Sequence, residues 1–442
     1  MEKRRATGQA QQGWEHPHVD PCSWGKQAAS SVVGQLPRSG AEALLQMRRI
    51  HSPVLLGNIE DARARAFVIL FTCDAFARAI LISLVPLQAY ELLGAAQLVS
   101  VVYFLVAFVG LGASLTVPVV LHHVRRRWVL TIGAAIQVLS VVLLALGTKA
   151  SLVAGLALQM LAMAVLDVVI NLYLLDHIPR RRLSNFEPRR LLFAGSAFAA
   201  GPWIGVYLSR NVAEDLTYLV AALATCTMLT FFWTLRLADN PGLQAATVPP
   251  PSPLRFVQRF CSQPRLVLSW VLALGRNGWW VMYFIYTPIY VANAGYRPEI
   301  GGALVSLGLA PMLLVRVWGR IGQSIGTRNL LTIGYGLTGL ASLAAGATAG
   351  APLACMTLLC FAAFSATVID GAGNVPFLRA VHPYERAAMT SVFMTFRHVG
   401  SLVVPGVLAV VLWRLPLPFV FVAGGLMTLA MAGLSRYLPR RL

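Results

Sequence analysis

The chain has 442 residues, of which 57% are hydrophobic and only 12% charged, and its mean hydropathy is +0.67. Soluble domains carry about 25% charged residues, so a chain this long and this apolar cannot cover a water-facing surface, and lipid must be part of its solvent. The net charge of +19 does not mark a nucleic-acid partner, because the arginines sit in short loops between apolar runs and not on one soluble face; that distribution marks membrane orientation.

Residues 1–65 contain no hydrophobic core of signal-peptide type and are rich in Gln, Gly, Ser, Pro and Arg, which predicts a largely disordered cytoplasmic tail. His16 and His18 with Cys22 are a polar cluster better read as solvated than as a metal site. The other cysteines are scattered without a CxxC pair, so neither a metal knuckle nor a disulfide framework is expected. Arginine far outnumbers lysine, as in a GC-rich bacterial genome.

Crossing the hydrocarbon takes about 20 apolar residues, and twelve runs qualify, near 66–90, 95–121, 128–147, 151–176, 190–209, 215–235, 265–292, 300–318, 329–349, 352–378, 387–412 and 416–435. The connections after even-numbered spans are basic, as in Arg125-Arg126-Arg127, Arg180-Arg181-Arg182, Arg236 and Arg259, Arg320 and Arg328, and Arg379 and Arg386, with Arg440 and Arg441 closing the chain. The odd-numbered connections carry few charges. Cations are retained on the cytoplasmic side, so both termini are expected in the cytoplasm of a bacterial cell, with the chain in the inner membrane. The longest internal connection, 237–264, contains Val248-Pro249-Pro250-Pro251-Ser252-Pro253 and reads as an exposed, non-helical linker. It separates two six-helix bundles, 66–236 and 265–442.

The two halves repeat. Arg127-Trp128-Val129-Leu130-Thr131-Ile132-Gly133 matches Arg328-Asn329-Leu330-Leu331-Thr332-Ile333-Gly334 at an offset of about 201 residues. Asp167 and Asn171 match Asp370 and Asn374, Pro86 matches Pro288, and Pro202 matches Pro405. Because each half has an even number of spans, the repeat is parallel, about an axis along the membrane normal. With Gly319-Arg320-Ile321-Gly322 through Thr327-Arg328 in the connection after span 8, this organisation resembles the major facilitator superfamily. The first half keeps only the basic end of that loop motif, Arg125-Arg126-Arg127; Pro118 and His122-His123 replace its glycine and Asp-Arg pair.

The resemblance implies an all-α membrane protein of twelve helices in which spans 1, 4, 7 and 10 line a central cavity and spans 3, 6, 9 and 12 face lipid. An intramembrane charge must face protein or water, and the charges obey this division. Spans 3, 6, 9 and 12 have essentially none in their interiors, whereas spans 1, 4, 7 and 10 hold Asp74 and Arg78, Asp167, Arg276 and Asp370, and span 11 adds Arg397 and His398.

Asp74 and Arg78 are four residues apart and share a helix face; the repeat offset carries Asp74 onto Arg276, so the two are expected to face each other across the cavity. A carboxylate in mid-membrane with cations in reach can exchange a proton as its surroundings change. Asp74 is thus the candidate coupling site, tuned by Arg78 and Arg276 with Asn277, Arg397 and His398 nearby, against the alternative of a buried ion pair. Asp167/Asn171 and Asp370/Asn374 either bind solute or form a gate that latches onto Arg125, Arg126 or Arg320, and their symmetric occurrence favours the gate. Trp279, Tyr283 and Tyr286 are expected to present aromatic surface to the cavity. Gly201-Pro202-Trp203-Ile204-Gly205 resembles the Gly-Pro signature of antiporters, with Val206 in place of a second glycine; the span 4 arginine of drug antiporters is missing.

The expected function is secondary active transport of a small organic solute by alternating access, proton-coupled, with export slightly favoured, by a monomer in contact with lipid. A transporter-like scaffold that acts in assembly is the alternative. No GxxxxGK[ST] loop and no set of nucleophile, base and oxyanion donors is present, so neither an enzyme nor a cofactor nor a metal is expected.

Overall fold

Membrane-spanning backbone must satisfy its own hydrogen bonds, and the apolar runs do so as helices. The computed structural model describes residues 62–177, 180–234, 253–382 and 385–439; the tail with His16, His18 and Cys22, most of the proline-rich linker, and Arg236, Arg440 and Arg441 lie outside the described residues. The first half consists of span 1 (Ala62–Ala79 and Leu84–Leu93), span 2 (Ala96–His123), span 3 (Arg126–Ala145), span 4 (Lys149–His177), span 5 (Arg180–Asn211) and span 6 (Leu216–Thr234). The second consists of span 7 (Pro264–Asn293), span 8 (Pro298–Leu309 and Val315–Ile325), span 9 (Thr327–Ala347), span 10 (Pro352–Ala372 and Val375–Ala380), span 11 (Arg386–Met394 and Phe396–Arg414) and span 12 (Phe419–Ser435).

Among the described residues, nine spans are long and apolar enough to cross a membrane, and span 8 makes a tenth, bent by 60°. The other two are helices of unusual make-up. Span 7 has 30 residues but carries Arg276, Asn277 and several tyrosines, too polar a face for a helix surrounded by lipid. Span 12 is strongly apolar but has 17 residues, about 26 Å of helix. Span 8 bends after Ala310–Leu314, a stretch that contains Pro311 and tightens into a 3-10 helix; proline lacks the N–H that a regular helical ladder needs.

The expected exposed linker is corrected over its last part, where Pro253–Cys261 is a helix. Proline suits the first helical position, and Phe256 and Phe260, four residues apart, pack into a cluster with Leu266, Phe377, Met389 and Phe393. Arg259 on this helix pairs with Glu385.

Packing follows the repeat. Span 3 packs on spans 4 and 6, as span 9 packs on spans 10 and 12, and across the halves span 2 meets span 11 as span 5 meets span 8. Ile132 and Leu139 of span 3, Leu219 and Leu223 of span 6, and Ile333, Leu337 and Leu340 of span 9 are exposed, which leaves apolar rows for lipid. The glycines of the span 5 motif have a packing role. A Cβ at Gly205 would stand 1.9 Å from the Ile80 carbonyl oxygen, and one at Gly201 would stand 2.6 Å from Ala79 Cβ, so spans 1 and 5 touch backbone to backbone where span 1 is interrupted.

Candidate functional site

The span ends divide into a basic face, carrying Arg125, Arg259, Arg265, Arg320, Arg328, Arg379 and Arg436, and an opposite face with few cations. Between them lie two charged clusters, one in each half.

In the first half, Arg78 bridges two carboxylates. Its Nε donates to Asp74 Oδ1 at 3.2 Å and its Nη2 to Asp74 Oδ2, while Nη1 donates to Asp167 Oδ1 at 2.7 Å. The helical i,i+4 spacing sets the first pair; the packing of span 1 on span 4 sets the second. Asp74 and Arg78 are nearly enclosed, with side chains 11% and 12% exposed, whereas Asp167 is 46% exposed. Asn171 donates to the Asp167 carbonyl at 2.7 Å and accepts from Arg190 Nη1 at 3.4 Å. Arg190 also lies over the Phe71 ring, 4.5 Å from its centroid.

In the second half, Arg276 lies 3.6 Å from Asp370 Oδ1 and donates to Asn374 Oδ1 at 3.1 Å. Trp280 Nε1 donates to the other oxygen of Asp370 at 3.0 Å. Adding the repeat offset of 202 to Arg78 gives Trp280, so the same register position donates to the same aspartate in both halves, once from a guanidinium and once from an indole. The sequence carried this correspondence, but an indole is not legible as the counterpart of a cation until both aspartates have their partners.

One expectation is corrected. Asp74 pairs with Arg78 and Arg276 pairs with Asp370 and Asn374, so each charge is compensated within its own half and not across the cavity. In this conformation Asp167 is held by Arg78, and Asp370 by Arg276 with Trp280, while Arg125 and Arg320 are exposed at the basic face. The physical reason is reach. A buried carboxylate needs a cation within hydrogen-bond distance, and the packed neighbours within a bundle supply one.

The aromatic expectation is corrected too. Trp279, Tyr283 and Tyr286 are at most 1% exposed, and each polar atom is bonded inside the protein. Trp279 donates to Ser342 Oγ at 3.0 Å and Tyr283 to the Leu304 carbonyl at 2.7 Å, while the Tyr286 hydroxyl meets Ser100 Oγ at 2.6 Å. Buried Trp and Tyr take such partners because an unpaired polar atom is costly. These rings are core, and Tyr286 belongs to the contact between the halves.

Arg397 is exposed and His398 half-buried. The Arg397 carbonyl accepts from Asn277 Nδ2 at 3.3 Å. One turn on, a Cβ at Gly400 would stand 2.5 Å from that same amide nitrogen. Arg397 lies within electrostatic reach of Asp167, Arg78, Arg190 and Arg276, so its exposure opens between the halves.

Five hydrogen bonds involving side chains join the halves among the described residues, and all lie toward the opposite face. Tyr90 donates to Asn293 at 3.0 Å, Ser100 meets Tyr286, and the Trp203 N–H donates to Ser306 Oγ at 2.9 Å. Asn211 donates to Glu299 at 2.9 Å and accepts from Arg297 at 3.2 Å. Among the described residues, the ion pairs of Arg78 and Arg276 stay within one half, and Arg259 of the linker helix pairs with Glu385 of the second.

This array of apolar helices with charged clusters within is matched, over residues 67–405, by the family described as the Major Facilitator Superfamily. The chain belongs to that superfamily. Solved members of similar fold include a POT family transporter in complex with 5-aminolevulinic acid, with TM-score 0.67 at 12% identity over 84% of this chain and 94% of that one. The nucleoside transporter NupG gives TM-score 0.67 at 13% identity, over 86% of this chain and 99% of that one. At such identities the likeness is one of major facilitator fold alone. No curated protein sequence matches significantly.

Proposed function

We propose that this major facilitator chain is a secondary active transporter of a small organic solute, working by alternating access, and that the conformation described here is the one open toward the basic face. One observation carries the reading: among the described residues, the side-chain hydrogen bonds that join the halves lie toward the opposite face, while Asp167, Asn171 and Arg397 are exposed. Alternating access requires a fastened face and an unfastened one. Residues 66–236 and 265–442 are the rocking units and 237–264 their connection. By the positive-inside rule the basic face is the cytoplasmic one, in the inner membrane of a bacterium.

Proton coupling is assigned to the Asp74–Arg78–Asp167 cluster. One guanidinium between two carboxylates leaves a net negative charge in a low-dielectric setting, and a single proton on either carboxylate neutralises it. Asp167, the more exposed, connects the cluster to water in this conformation, and Asp74 holds the proton when the cavity is closed. The Gly-Pro motif of span 5 favours export. The test is solute flux in proteoliposomes under an imposed pH gradient, over a broad solute panel, for the parent and Asp74→Asn. The parent is expected to move a solute faster when the gradient is present, and Asp74→Asn to lose that acceleration while keeping exchange of solute. Absence of flux for the whole panel, with mutant and parent alike, sinks the proposal.

A further inference from the structure

We infer that the solute carries a carboxylate-type anionic head and that Arg397 is the side chain that receives it. The inference rests on the transport reading above and names the chemistry of its cargo.

Asp74 and Asp167 are both engaged by Arg78, and Asp370 is engaged by Arg276 and Trp280. Arg397 is different. Among the described residues no carboxylate lies within ion-pairing distance of it, and the contact of its guanidinium is the Phe396 ring, 6.0 Å from the centroid. The remaining groups in its field are Asp167, whose Oδ1 is held by Arg78, three further arginines at 78, 190 and 276, and His398 beside it. A guanidinium stays protonated in a protein, so Arg397 cannot shed its charge as a histidine or carboxylate can. An intramembrane cation without a counter-charge is costly and marks a functional site.

Its mounting fits a receptor for a ligand. Phe396 is 2% exposed, and the amide of Asn277 bonds the Arg397 carbonyl and fills the space beside Gly400. The backbone is therefore held against span 7 while the residue stays exposed. Its donors form a planar fork that matches a carboxylate with two parallel hydrogen bonds. Arg276, on the same span as Asn277, adds positive field without competing for the anion, since its donors face Asp370 and Asn374.

The experiment uses the full chain purified in detergent and reads its melting temperature by intrinsic fluorescence. The probes are carboxylates paired with their uncharged amides (benzoate and benzamide, hexanoate and hexanamide, lactate and lactamide), with chloride and inorganic phosphate as separate arms. At least one carboxylate is expected to raise the melting temperature while its amide does not. Its apparent affinity should fall at least tenfold in Arg397→Gln and be partly restored in Arg397→Lys. Without ligand, Arg397→Gln should melt at or above the parent, because removing a charge that nothing compensates relieves the fold. The inference is overturned by equal shifts from amides and carboxylates, by no shift from any carboxylate, or by a full response to chloride or phosphate alone. It is also overturned if Arg397→Gln melts lower or fails to fold, since the protein itself then satisfies that charge. Flux of a neutral solute that survives Arg397→Gln removes this inference and leaves the transport reading standing, whereas absence of all flux removes the transport reading itself.

Discussion

Spans 1 and 7 occupy equivalent places in the repeat, and both send a donor to an aspartate of the span beside them, yet they do so with different chemistry. In span 1 the donor is Arg78, shared between Asp167 and Asp74; in span 7 it is Trp280, and the cation Arg276 stands where span 1 has Asp74. The first cluster therefore holds two carboxylates for one cation, and the second holds one for one. Their hydrogen-bonding register is the same and their charge is not. On the transport reading proposed above, the symmetric geometry suits the rocking of two similar bundles, and the asymmetry of charge suits a proton in the first half and leaves Arg397 as the uncompensated cation of the second.

The sharpest way to break this comparison is to remove each cation in turn. Arg78→Met strands two carboxylates, and breaking a buried pair costs about 3–5 kcal/mol, so a large fall in thermal stability in detergent, or failure to accumulate in the membrane, is expected. Arg276→Met strands only Asp370, which keeps the Trp280 indole, and the loss should be about 1.5–3 kcal/mol, the worth of a hydrogen bond to a charged group. Equal losses would mean that the two clusters are energetically alike despite their composition. Adding Asp167→Asn should recover stability in Arg78→Met, because a stranded charge is then gone.

Trp280→Phe tests the register rather than the charge. It keeps the ring and removes the Nε1 donor, so Asp370 retains Arg276 and loses one hydrogen bond. A destabilisation of about 1.5 kcal/mol, the low end for a hydrogen bond to a charged group because Arg276 remains, is expected, read as a small fall in melting temperature with a largely unchanged rate of flux. A loss as large as that of Arg276→Met would make Trp280 the true counterpart of Arg78 in energy as well as in position.

Much of this arrangement was legible in the sequence because membranes punish charge. The absence of ionisable residues from the interiors of spans 3, 6, 9 and 12, and their presence at Asp74, Asp167, Arg276 and Asp370, follow from the cost of an uncompensated charge in lipid. The same principle does not say which charge meets which. The repeat offset places Asp74 and Arg276 at matching positions, and matching positions are related by the axis without being in contact. Short side chains reach only the neighbouring span of the same bundle. The helix Pro253–Cys261 escaped notice because prolines crowd its start, although Phe256 and Phe260 at helical spacing were its signal. Tyr283 and Tyr286 could not be read as core, since a tyrosine in a polar-looking span is equally suited to a cavity until its hydroxyl has a partner.

The clusters differ at mid-span, but spans 1 and 7 meet again at their far ends, where Tyr90 donates to Asn293. That contact should bias the conformational equilibrium by little, because it is one exposed neutral hydrogen bond. Tyr90→Phe is expected to weaken the fastened face by about 0.5–1 kcal/mol, a shift of roughly twofold to fivefold in the population open to that side. The measurement is the labelling rate of a cysteine placed at Ser100, buried behind this contact, in a background free of other cysteines, with a membrane-impermeant maleimide added from the side of the opposite face. The rate should rise by that factor over the same cysteine with Tyr90 intact, and Arg78→Met should alter the ratio only if the charge clusters and the fastening act as one unit. An unchanged rate in Tyr90→Phe would assign the fastening to the span 5 and span 8 contacts, where the Trp203 N–H and Ser306 lie deeper between the halves.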